Sequence, residues 1–535
     1  MKSIFSRFIF AAIVIIYAIS SWSQPMLADK LPPFEDISTS YAKDEIIDLY
    51  NKKIITGTSL TSFSPTESIT RAEFITILER LLKLDPVASP VTSFRDVAKN
   101  AWYYGSIQTA VQLNLATGTS PTTFAPKQAV TRQEAAVWMA RALKQASGNF
   151  TNLTTYKDSN HIAAWAGGSV AAVSKLGLMK GDETGYFRPT EAITRQEAAV
   201  LMYRVLQNKN WAAALEHAPN EEIVIGWQYG STAEYERDIL KSDVNTLSPR
   251  WYFVGKDGVV SDLTETSLIS WAKGNHKKIW AMAGNRSDQE ATHQLLSSTT
   301  SRNTAITQLV AMVSKYGLDG LNIDFENVDG ADRRSFTDFI TLLAVKLHAV
   351  GATLSIDVSP DLGTDWTAAF DYAALGKQAD YVVIMGYDEH YESSLYPGSN
   401  ASLLYISNAI DTLLKVVSSK KVILAMPFYN RDWTLLPNGT VSSSQYITFP
   451  EQNQRISTYS MRPVWNDTLG QYVASYTKNA IKHTIWLEDG RSLIAKYNVV
   501  ANKKLAGVAY WYIGGESPDI WTSLRNAEKY YGYAF

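Results

Sequence analysis

The stretch Asp319-Gly-Leu-Asn-Ile-Asp-Phe-Glu326 is the most informative segment of this 535-residue chain. Alternation along a β-strand puts its apolar residues on one face and Asn322, Asp324 and Glu326 on the other. Inward-facing polar groups cost free energy unless they are paired, and carboxylates two residues apart lie ~6–7 Å apart at the backbone. The pattern predicts a catalytic carboxylate pair, with a buried structural pair as the alternative.

Eight apolar, strand-like runs alternate with helical stretches in the C-terminal part of the chain. They are Ile223–Gln228, Arg250–Val254, Lys278–Ala283, Gly320–Glu326, Thr353–Val358, Tyr381–Gly386, Lys421–Pro427 and Gly507–Tyr512. This alternation predicts an α/β TIM (β/α)8 barrel, although seven or nine strands would also fit. Glu326 then ends a strand, where barrel active sites lie. The stretch 432–488 is too long for a simple loop and predicts a small α+β insertion before the last strand.

Three repeats of about sixty residues precede the predicted barrel. Each repeat carries, in order, an aromatic residue near an Asp, a Gly, an aromatic-x-Pro triplet and a Thr-Arg-x-Glu box. The boxes are Thr70–Glu73, Thr131–Glu134 and Thr194–Glu197. Thr-x-x-Glu is the pattern of a helix capping box, in which the Thr side chain and the Glu side chain each bind an exposed backbone amide. Each box therefore predicts the start of a helix.

The Arg inside each box has no such local explanation. A cation in the first turn opposes the helix dipole, yet Arg71, Arg132 and Arg195 all occupy this position. Three such cations indicate an anion or ligand site, and solvated surface arginines are the alternative.

The N-terminus has the pattern of a secretory signal peptide. Lys2 and Arg7 precede the apolar run 8–19, which ends in small and polar residues. We expect a signal peptide over residues 1–23, with cleavage after Ser23 or after Ala28; an uncleaved anchor helix is the alternative. The run is shorter than the ~20 residues that a membrane span needs, and no later segment is long and apolar enough to cross a bilayer.

Composition excludes several classes of protein. Lys and Arg number 50 against 52 for Asp and Glu, which argues against a nucleic-acid partner. The absence of cysteine excludes disulfide scaffolds, zinc-thiolate sites and thiol nucleophiles. The seven His residues form no cluster with ligand spacing, so we expect neither a metal nor a cofactor.

The repeats resemble the S-layer homology (SLH) domain, three copies of which form a cell-wall anchor. We place the copies at 34–84, 94–144 and 156–207, followed by a linker over 208–220. The resemblance implies an all-α trimer of repeats that binds an acidic, pyruvylated secondary cell-wall polymer. The residues that match the family's binding motif are Arg71, Arg132, Arg195, Asp36, Asp96 and Asp158. The first copy has Tyr41 where the others have Trp102 and Trp165, so the three sites are expected to differ.

The segment 221–535 resembles glycoside hydrolase family 18, the chitinase family, whose signature is D-x-x-D-x-D-x-E. The resemblance implies that Glu326 protonates the glycosidic oxygen. Asp324 would orient the substrate's N-acetyl group, whose carbonyl oxygen attacks the anomeric carbon, so no enzyme nucleophile is needed. Tyr387 would hydrogen-bond the acetamido carbonyl. The remaining expected site residues are Met385, Asp388 and Trp511 for substrate binding and Asp319 as a structural residue near the site.

Asn322 departs from the signature, which has Asp at this place. An amide cannot share a proton with Asp324 as a carboxyl could, so we expect a simpler titration and a shifted pH optimum. The variant signature, together with 387–390 and 486–492, is most similar to the spore-cortex and cell-wall branch of the family. This favours peptidoglycan or short N-acetylglucosamine oligomers over crystalline chitin.

These observations predict a secreted hydrolase, bound to the bacterial cell wall or S-layer, that cleaves β-1,4 bonds at N-acetylglucosamine with retention. Its partners would be the glycan substrate and the secondary wall polymer. Two alternatives remain at this point: a glycan-binding lectin whose catalysis has lapsed, and a structural S-layer protein. The presence of Glu326 argues against the first, and the inward polar row argues against the second.

Overall fold

The computed structural model describes residues 33–92, 94–145, 156–217, 222–361 and 363–535. The predicted signal peptide, 1–23, lies outside the described residues. Within the described ranges, helices are too short or too polar for any of them to traverse a lipid bilayer.

The N-terminal repeats are helical, as predicted, and each contributes two helices. These are α1 (Lys43–Asn51), α2 (Arg71–Leu81), α3 (Tyr104–Gln112), α4 (Arg132–Ala142), α5 (Gly167–Lys175) and α6 (Arg195–Gln207). The second helix of each repeat begins at a complete capping box, which confirms the assignment from Thr-x-x-Glu.

The repeats close into a ring around a pseudo-threefold axis. Helix α2 packs on α3, α4 on α5, and α6 returns to α1. At the centre, the amide of Val130 donates to the carbonyl of Ile69 (3.0 Å), Ile193 donates to Val130 (2.9 Å) and Ile69 donates to Ile193 (3.0 Å). Each repeat thus supplies a backbone partner to the next, and the three copies together close the ring of hydrogen bonds.

The strands of the C-terminal half form a sheet that closes on itself. Its first nine strands are β1 (Ile223–Trp227), β2 (Thr246–Ser248), β3 (Arg250–Val254), β4 (Val260–Asp262), β5 (Lys278–Gly284), β6 (Gly320–Asp324), β7 (Thr353–Val358), β8 (Tyr381–Met385) and β9 (Val422–Pro427). The helices between them are α8 (Thr232–Ile239), α9 (Thr266–Gly274), α10 (Gln289–Ser297), α11 (Thr299–Tyr316), α12 (Arg333–Ala349), α13 (Tyr372–Gln378) and α14 (Leu403–Leu413).

An inserted subdomain follows β9. It consists of β10 (Tyr429–Leu435), β11 (Val441–Thr448), α15 (Phe449–Thr458), β12 (Val464–Asn466), β13 (Gln471–Lys478) and β14 (Ile481–Leu487). The five strands form one antiparallel sheet in the order β11-β10-β14-β13-β12, with the helix beside it. The predicted α+β insertion before the last strand is therefore present.

The chain then completes the barrel with α16 (Gly490–Lys503), β15 (Gly507–Trp511) and α17 (Asp519–Gly532). Strand β15 lies parallel between β1 and β9, and β2 joins β1 to β5, so eight parallel strands close the barrel. This confirms the predicted TIM barrel. The second barrel strand differs from the prediction, because closure is made by the three-residue β2. Beyond Pro249, β3 pairs with β5 and forms a hairpin with β4.

The predicted linker, 208–220, also differs from a simple connecting segment. Helix α7 (Lys209–Glu216) occupies most of it, and Asn208 caps this helix through its side chain. Trp211 and Leu215 are buried in an apolar core that runs without a break from the repeats into the barrel. The two parts of the chain are therefore packed together rather than tethered.

Candidate active site

Strand β6 brings the predicted polar row to the carboxyl end of the barrel. Glu326 lies two residues beyond the strand's last residue, Asp324, and Asn322 is fully buried inside the barrel. Strand pairing places Asp324 beside Gly284 of β5 and Asn322 beside Ser355 of β7.

Every hydrogen-bonding position of the Asn322 amide is occupied. Its Oδ1 accepts from Nε1 of Trp227 (2.8 Å) and from Oγ of Ser248 (3.2 Å). Its Nδ2 donates to Oγ of Ser355 (3.0 Å) and to Oδ1 of Asp357 (2.7 Å). Because two donors face the oxygen, the NH2 group must point towards the Asp357 carboxyl.

Asp324 carries the strongest sign of a site built for a ligand. Its Oδ1 is buried and has no hydrogen-bond partner among the described residues. Burial and the neighbouring Glu326 carboxylate raise the pKa of Asp324 to about 8, and the Arg250 guanidinium opposes them. A buried acceptor without a protein donor is costly, which is the arrangement expected where a donor from a bound ligand completes the site.

Glu326 is held by the loop that follows β5. Oγ of Ser287 donates to Oε2 of Glu326 (2.6 Å). Asn285 binds the backbone on both sides, accepting from the Glu326 amide (3.0 Å) and donating to its carbonyl (2.7 Å). The carboxyl group is therefore oriented from a neighbouring strand.

Tyr387 and Asp388 follow β8 and face the same end of the barrel. Burial, with the nearby Tyr429, raises the pKa of Tyr387 well above its usual value, so its hydroxyl remains a donor. Oδ1 of Asp388 accepts from the hydroxyl of Tyr429 (2.6 Å), and its amide donates to Asn400 (3.1 Å). Met385, the last residue of β8, is half-buried below them.

Trp511 ends β15 and lies at the mouth of the barrel. Its ring packs edge-on against Trp227 (6.0 Å between centroids), and the Arg250 guanidinium lies 5.6 Å from its ring centroid. Asp319 is not brought to this site. It lies at the opposite end of β6, where its carboxylate accepts from the amide of Ile279 (2.8 Å) and ties two strands together.

Several residues that the sequence interpretation did not single out belong to this constellation. They are Asp357, Ser287, Asn285, Arg250, Trp227 and Tyr429. Asp357 could have been found, since the same alternation that exposed the β6 row also puts Ser355 and Asp357 on one face of β7. The others come from loops or depend on which strands become neighbours. No group of three or more His, Asp or Glu residues suited to a metal ion occurs in the described ranges.

The repeat arginines lie between repeats. Nη1 of Arg132 pairs with Glu197 (3.0 Å), Arg195 pairs with Glu73 (2.7 Å), and Arg71 pairs with Glu134. Each acidic partner is the capping-box Glu of another repeat. The Nε and Nη2 atoms of the same arginines donate to backbone carbonyls. These contacts between repeats therefore explain why each box contains an Arg, which helix capping alone does not explain.

The recurrent aspartates likewise bind backbone amides. The carboxylate of Asp36 accepts from Phe63 (2.8 Å) and Ser64 (2.8 Å), and Ser64 is in the left-handed region. Asp96 and Asp158 make the equivalent pairs of bonds in their repeats. A Cβ at Gly57 would come within 2.5 Å of the Phe34 ring, which explains why the motif needs Gly.

Grooves between repeats lie beside these arginines. A cavity of about 370 Å³ is lined by Gly57, Glu73, Arg80, Trp102 and Arg195, with Trp102 66% exposed. A second cavity, of about 430 Å³, is lined among others by Arg132, Lys180, Gly181 and Glu197.

Each groove combines residues from different repeats. Tyr41 lies close enough to Arg132, Glu197 and Arg204 for their charges to act on its hydroxyl, so it corresponds to Trp102 of the first groove. Arg80 and Arg204 occupy equivalent places in their repeats, nine residues after the box Arg, and the sequence interpretation did not single them out.

A closed parallel barrel with an acid pair at the end of its fourth barrel strand defines a glycosidase-type barrel enzyme. Residues 250–516 match Glycosyl hydrolases family 18, and residues 33–75, 93–136 and 155–199 match the S-layer homology domain. The chain therefore belongs, through its barrel, to glycoside hydrolase family 18, and three SLH domains precede that barrel. It is a glycan-hydrolysing enzyme with cell-surface anchoring domains.

Relatives of the barrel agree with this assignment. The uncharacterized glycosylase YvbX of Bacillus subtilis is 28% identical over 322 residues, which are 57% of this chain and 92% of that protein. The cortical fragment-lytic enzyme of B. subtilis is 26% identical over 43% of this chain and 55% of its own length.

Solved structures share the fold. The C-terminal domain of a putative chitinase from Desulfitobacterium hafniense superposes with a TM-score of 0.54 at 24% identity, covering 58% of this chain and 99% of that domain. The spore cortex-lytic enzyme SleL of Bacillus cereus gives a TM-score of 0.53 at 22% identity, covering 58% of this chain and 75% of SleL.

Proposed function

We propose that the barrel hydrolyses β-1,4 bonds at N-acetylglucosamine by a retaining, substrate-assisted reaction. The observation that carries this proposal is the buried, unpartnered Oδ1 of Asp324, two residues before a Glu326 oriented by Ser287. An acetamido N–H of the substrate would donate to that oxygen and would also hold the sugar in position for attack. A water molecule would not position a sugar, and an apolar ligand has no hydrogen to donate.

The first step uses Glu326 as the acid. Its carboxyl proton passes to the glycosidic oxygen as the bond from that oxygen to the anomeric carbon breaks. The acetamido carbonyl oxygen forms the new bond to the anomeric carbon, giving an oxazolinium intermediate on the substrate. The unpartnered Oδ1 of Asp324 accepts from the acetamido N–H and so orients the acetamido group for attack. Tyr387 donates to the acetamido oxygen and aligns it, and Trp511 supports the sugar face.

The second step returns the enzyme to its starting state. Glu326, now a carboxylate, takes a proton from a water molecule that attacks the anomeric carbon. The carbon–oxygen bond of the intermediate breaks, and the acetamido group is restored. Two inversions at one carbon give net retention, without an enzyme nucleophile. Met385 and Asp388 would line the substrate side of the same pocket.

The test follows the anomer of the first product by NMR, with N-acetylglucosamine oligomers and purified peptidoglycan as separate substrates. We expect β-anomeric product, and a loss of at least about 10³-fold in kcat for Glu326→Gln. Peptidoglycan fragments are the expected better substrate, since relatives include enzymes named for cortical fragments. Saturable glycan binding without turnover in either protein would instead make the chain a lectin.

We further propose that a cleaved signal peptide over residues 1–23 exports the protein and that the repeats bind an acidic, pyruvylated wall polymer. The groove lined by Glu73, Arg80 and Arg195 has one more cation than anions, and its exposed Trp102 offers an apolar face to a sugar. Removal of pyruvate from isolated walls should abolish retention of the protein, and unchanged retention would contradict this assignment.

A further inference from the structure

Asp357 is the acidic group that directly contacts the position where this chain departs from the family signature. Its Oδ1 lies 2.7 Å from Nδ2 of Asn322, and both side chains are buried inside the barrel. Asn322 pairs with Ser355 across β6 and β7, so Asp357 lies one pleat nearer the mouth on the same inward face.

We propose that Asp357 is a positioning residue which supplies, from the neighbouring strand, the carboxyl group that Asn322 lacks, and which acts on Asp324 from there. This inference rests on the proposed function of Asp324 in substrate-assisted hydrolysis. Asn322 and Asp357 are then one unit, and we call their arrangement the exchange: the carboxyl that the signature places on β6 is supplied from β7, and an amide stands in its place on β6.

The hydrogen bonds of Asn322 explain why the two residues depend on each other. Trp227 and Ser248 both donate to Oδ1, so only the NH2 group can face Asp357. A carboxyl group at position 322 would place two acids at hydrogen-bond distance, and they would have to share a proton. Asn at 322 therefore suits a chain that has Asp at 357.

The charges around Asp357 make it effective at Asp324. The charged and titratable groups that interact with Asp357 or Asp324 lie on three elements. They are Asp324 at the end of β6, Glu326 after it, Arg250 of β3 and Tyr387 after β8. Burial and the Asp324 charge raise the pKa of Asp357 well above its usual value, while the Asn322 hydrogen bond opposes this. The two carboxyl groups interact, so ionisation of one opposes ionisation of the other. In Asp357→Asn, Asp324 titrates without this acidic neighbour, and its apparent pKa should fall.

The experiment compares Asp357→Asn, Asn322→Asp and the double variant with the wild-type chain. The readout is kcat/KM against pH on neutral N-acetylglucosamine oligomers. We expect Asp357→Asn to move the acidic limb down by about one pH unit, and Asn322→Asp to move it up by a similar amount. The double variant restores one carboxyl and one amide, so its profile should return to within about half a unit of wild type.

Asp243→Asn is the matched control, because it removes a partly buried carboxylate, paired with Arg525, that lies before β2 and away from the mouth. It should leave the profile in place. If the double variant is folded and its loss of activity equals the product of the two single losses, then residues 322 and 357 act independently. That result would overturn the exchange.

A wild-type chain that turns over neither substrate would refute the proposed function separately. In that case, NMR titration of the side-chain carboxyl 13C of Asp324 in the same four proteins still tests whether Asp357 acts on Asp324. An Asp324 titration midpoint that Asp357→Asn leaves unmoved would overturn it.

Discussion

The hydroxyl of Ser287 is the only side-chain donor that the described residues offer to the Glu326 carboxyl, at 2.6 Å from Oε2. We expect Ser287→Ala to lower kcat about tenfold, because one charge-assisted hydrogen bond contributes about 1.5 kcal/mol or more. KM for N-acetylglucosamine oligomers should change little. Ser287 has a positive φ, which Asn tolerates and a β-branched residue does not. Ser287→Asn keeps a side-chain donor and should retain more activity than Ser287→Ala; equal losses in both variants would contradict an orienting role.

Asp324 should make the stability of the barrel depend on pH. Its pKa of about 8 in the folded chain lies above the unfolded value of about 3.9. Between these values the folded state holds a proton that the unfolded state has released, so the free energy of unfolding falls as pH rises from 4 to 8. An Asn side chain at this position stays neutral at every pH, so the variant does not lose free energy of unfolding in this way.

We therefore expect Asp324→Asn to raise Tm by about 3–6 °C more at pH 8 than at pH 5, while abolishing turnover. Differential scanning calorimetry across this range measures it. An equal gain at both pH values would show that the raised pKa is not a property of the folded site.

The second helices of the three repeats, α2, α4 and α6, are joined by ion pairs of unequal burial. The side chains of Arg71 and Arg195 are 2% and 5% exposed, whereas Arg132 is 15% exposed. Breaking a buried pair leaves an unpaired charge and costs about 3–5 kcal/mol. We expect Arg71→Ala and Arg195→Ala to lower Tm more than Arg132→Ala, as measured by calorimetry on the full chain.

Arg80→Ala is the complementary variant, because Arg80 lines a groove and makes no ion pair with a described residue. It should weaken binding to isolated walls several-fold with a change in Tm of less than about 1 °C. If Arg80→Ala binds walls as wild type does, the groove beside Trp102 is not the polymer site.

At the scale of the whole molecule, the last helix joins the anchor to the enzyme. The side chain of Asn526 in α17 accepts from the amide of Asp85 (2.9 Å) and donates to its carbonyl (2.7 Å). Lys144 donates to the carbonyls of Tyr531 and Tyr533, and the Tyr533 hydroxyl donates to Leu82. The barrel mouth is thereby held in one orientation relative to the grooves between the repeats.

We expect the chain to unfold in a single calorimetric transition. Asn526→Ala should lower that Tm by a few degrees, because the buried Asn526 side chain and its two hydrogen bonds to the Asp85 backbone are lost, at about 1–3 kcal/mol in total. Asn502→Ala, which removes an exposed amide on α16, should leave Tm nearly unchanged. Two well-separated transitions in the wild-type chain would contradict a shared core.

The sequence alone was sufficient for features that depend on local periodicity and spacing. Strand alternation placed Asn322, Asp324 and Glu326 on one face, and the Thr-x-x-Glu boxes located the starts of three helices. Both rest on hydrogen bonds and side-chain directions within a few residues of one another, which sequence spacing specifies directly.

Only the tertiary structure decided which distant groups meet. The three-residue β2 is too short to show periodicity, yet it closes the barrel, and helix α7 lies where the sequence suggested a linker. The box arginines pair with glutamates more than fifty residues away, and Asp357 meets Asn322 only because β6 and β7 are neighbours. Such contacts depend on chain closure and on the burial of charge, for which a linear pattern carries no local signal.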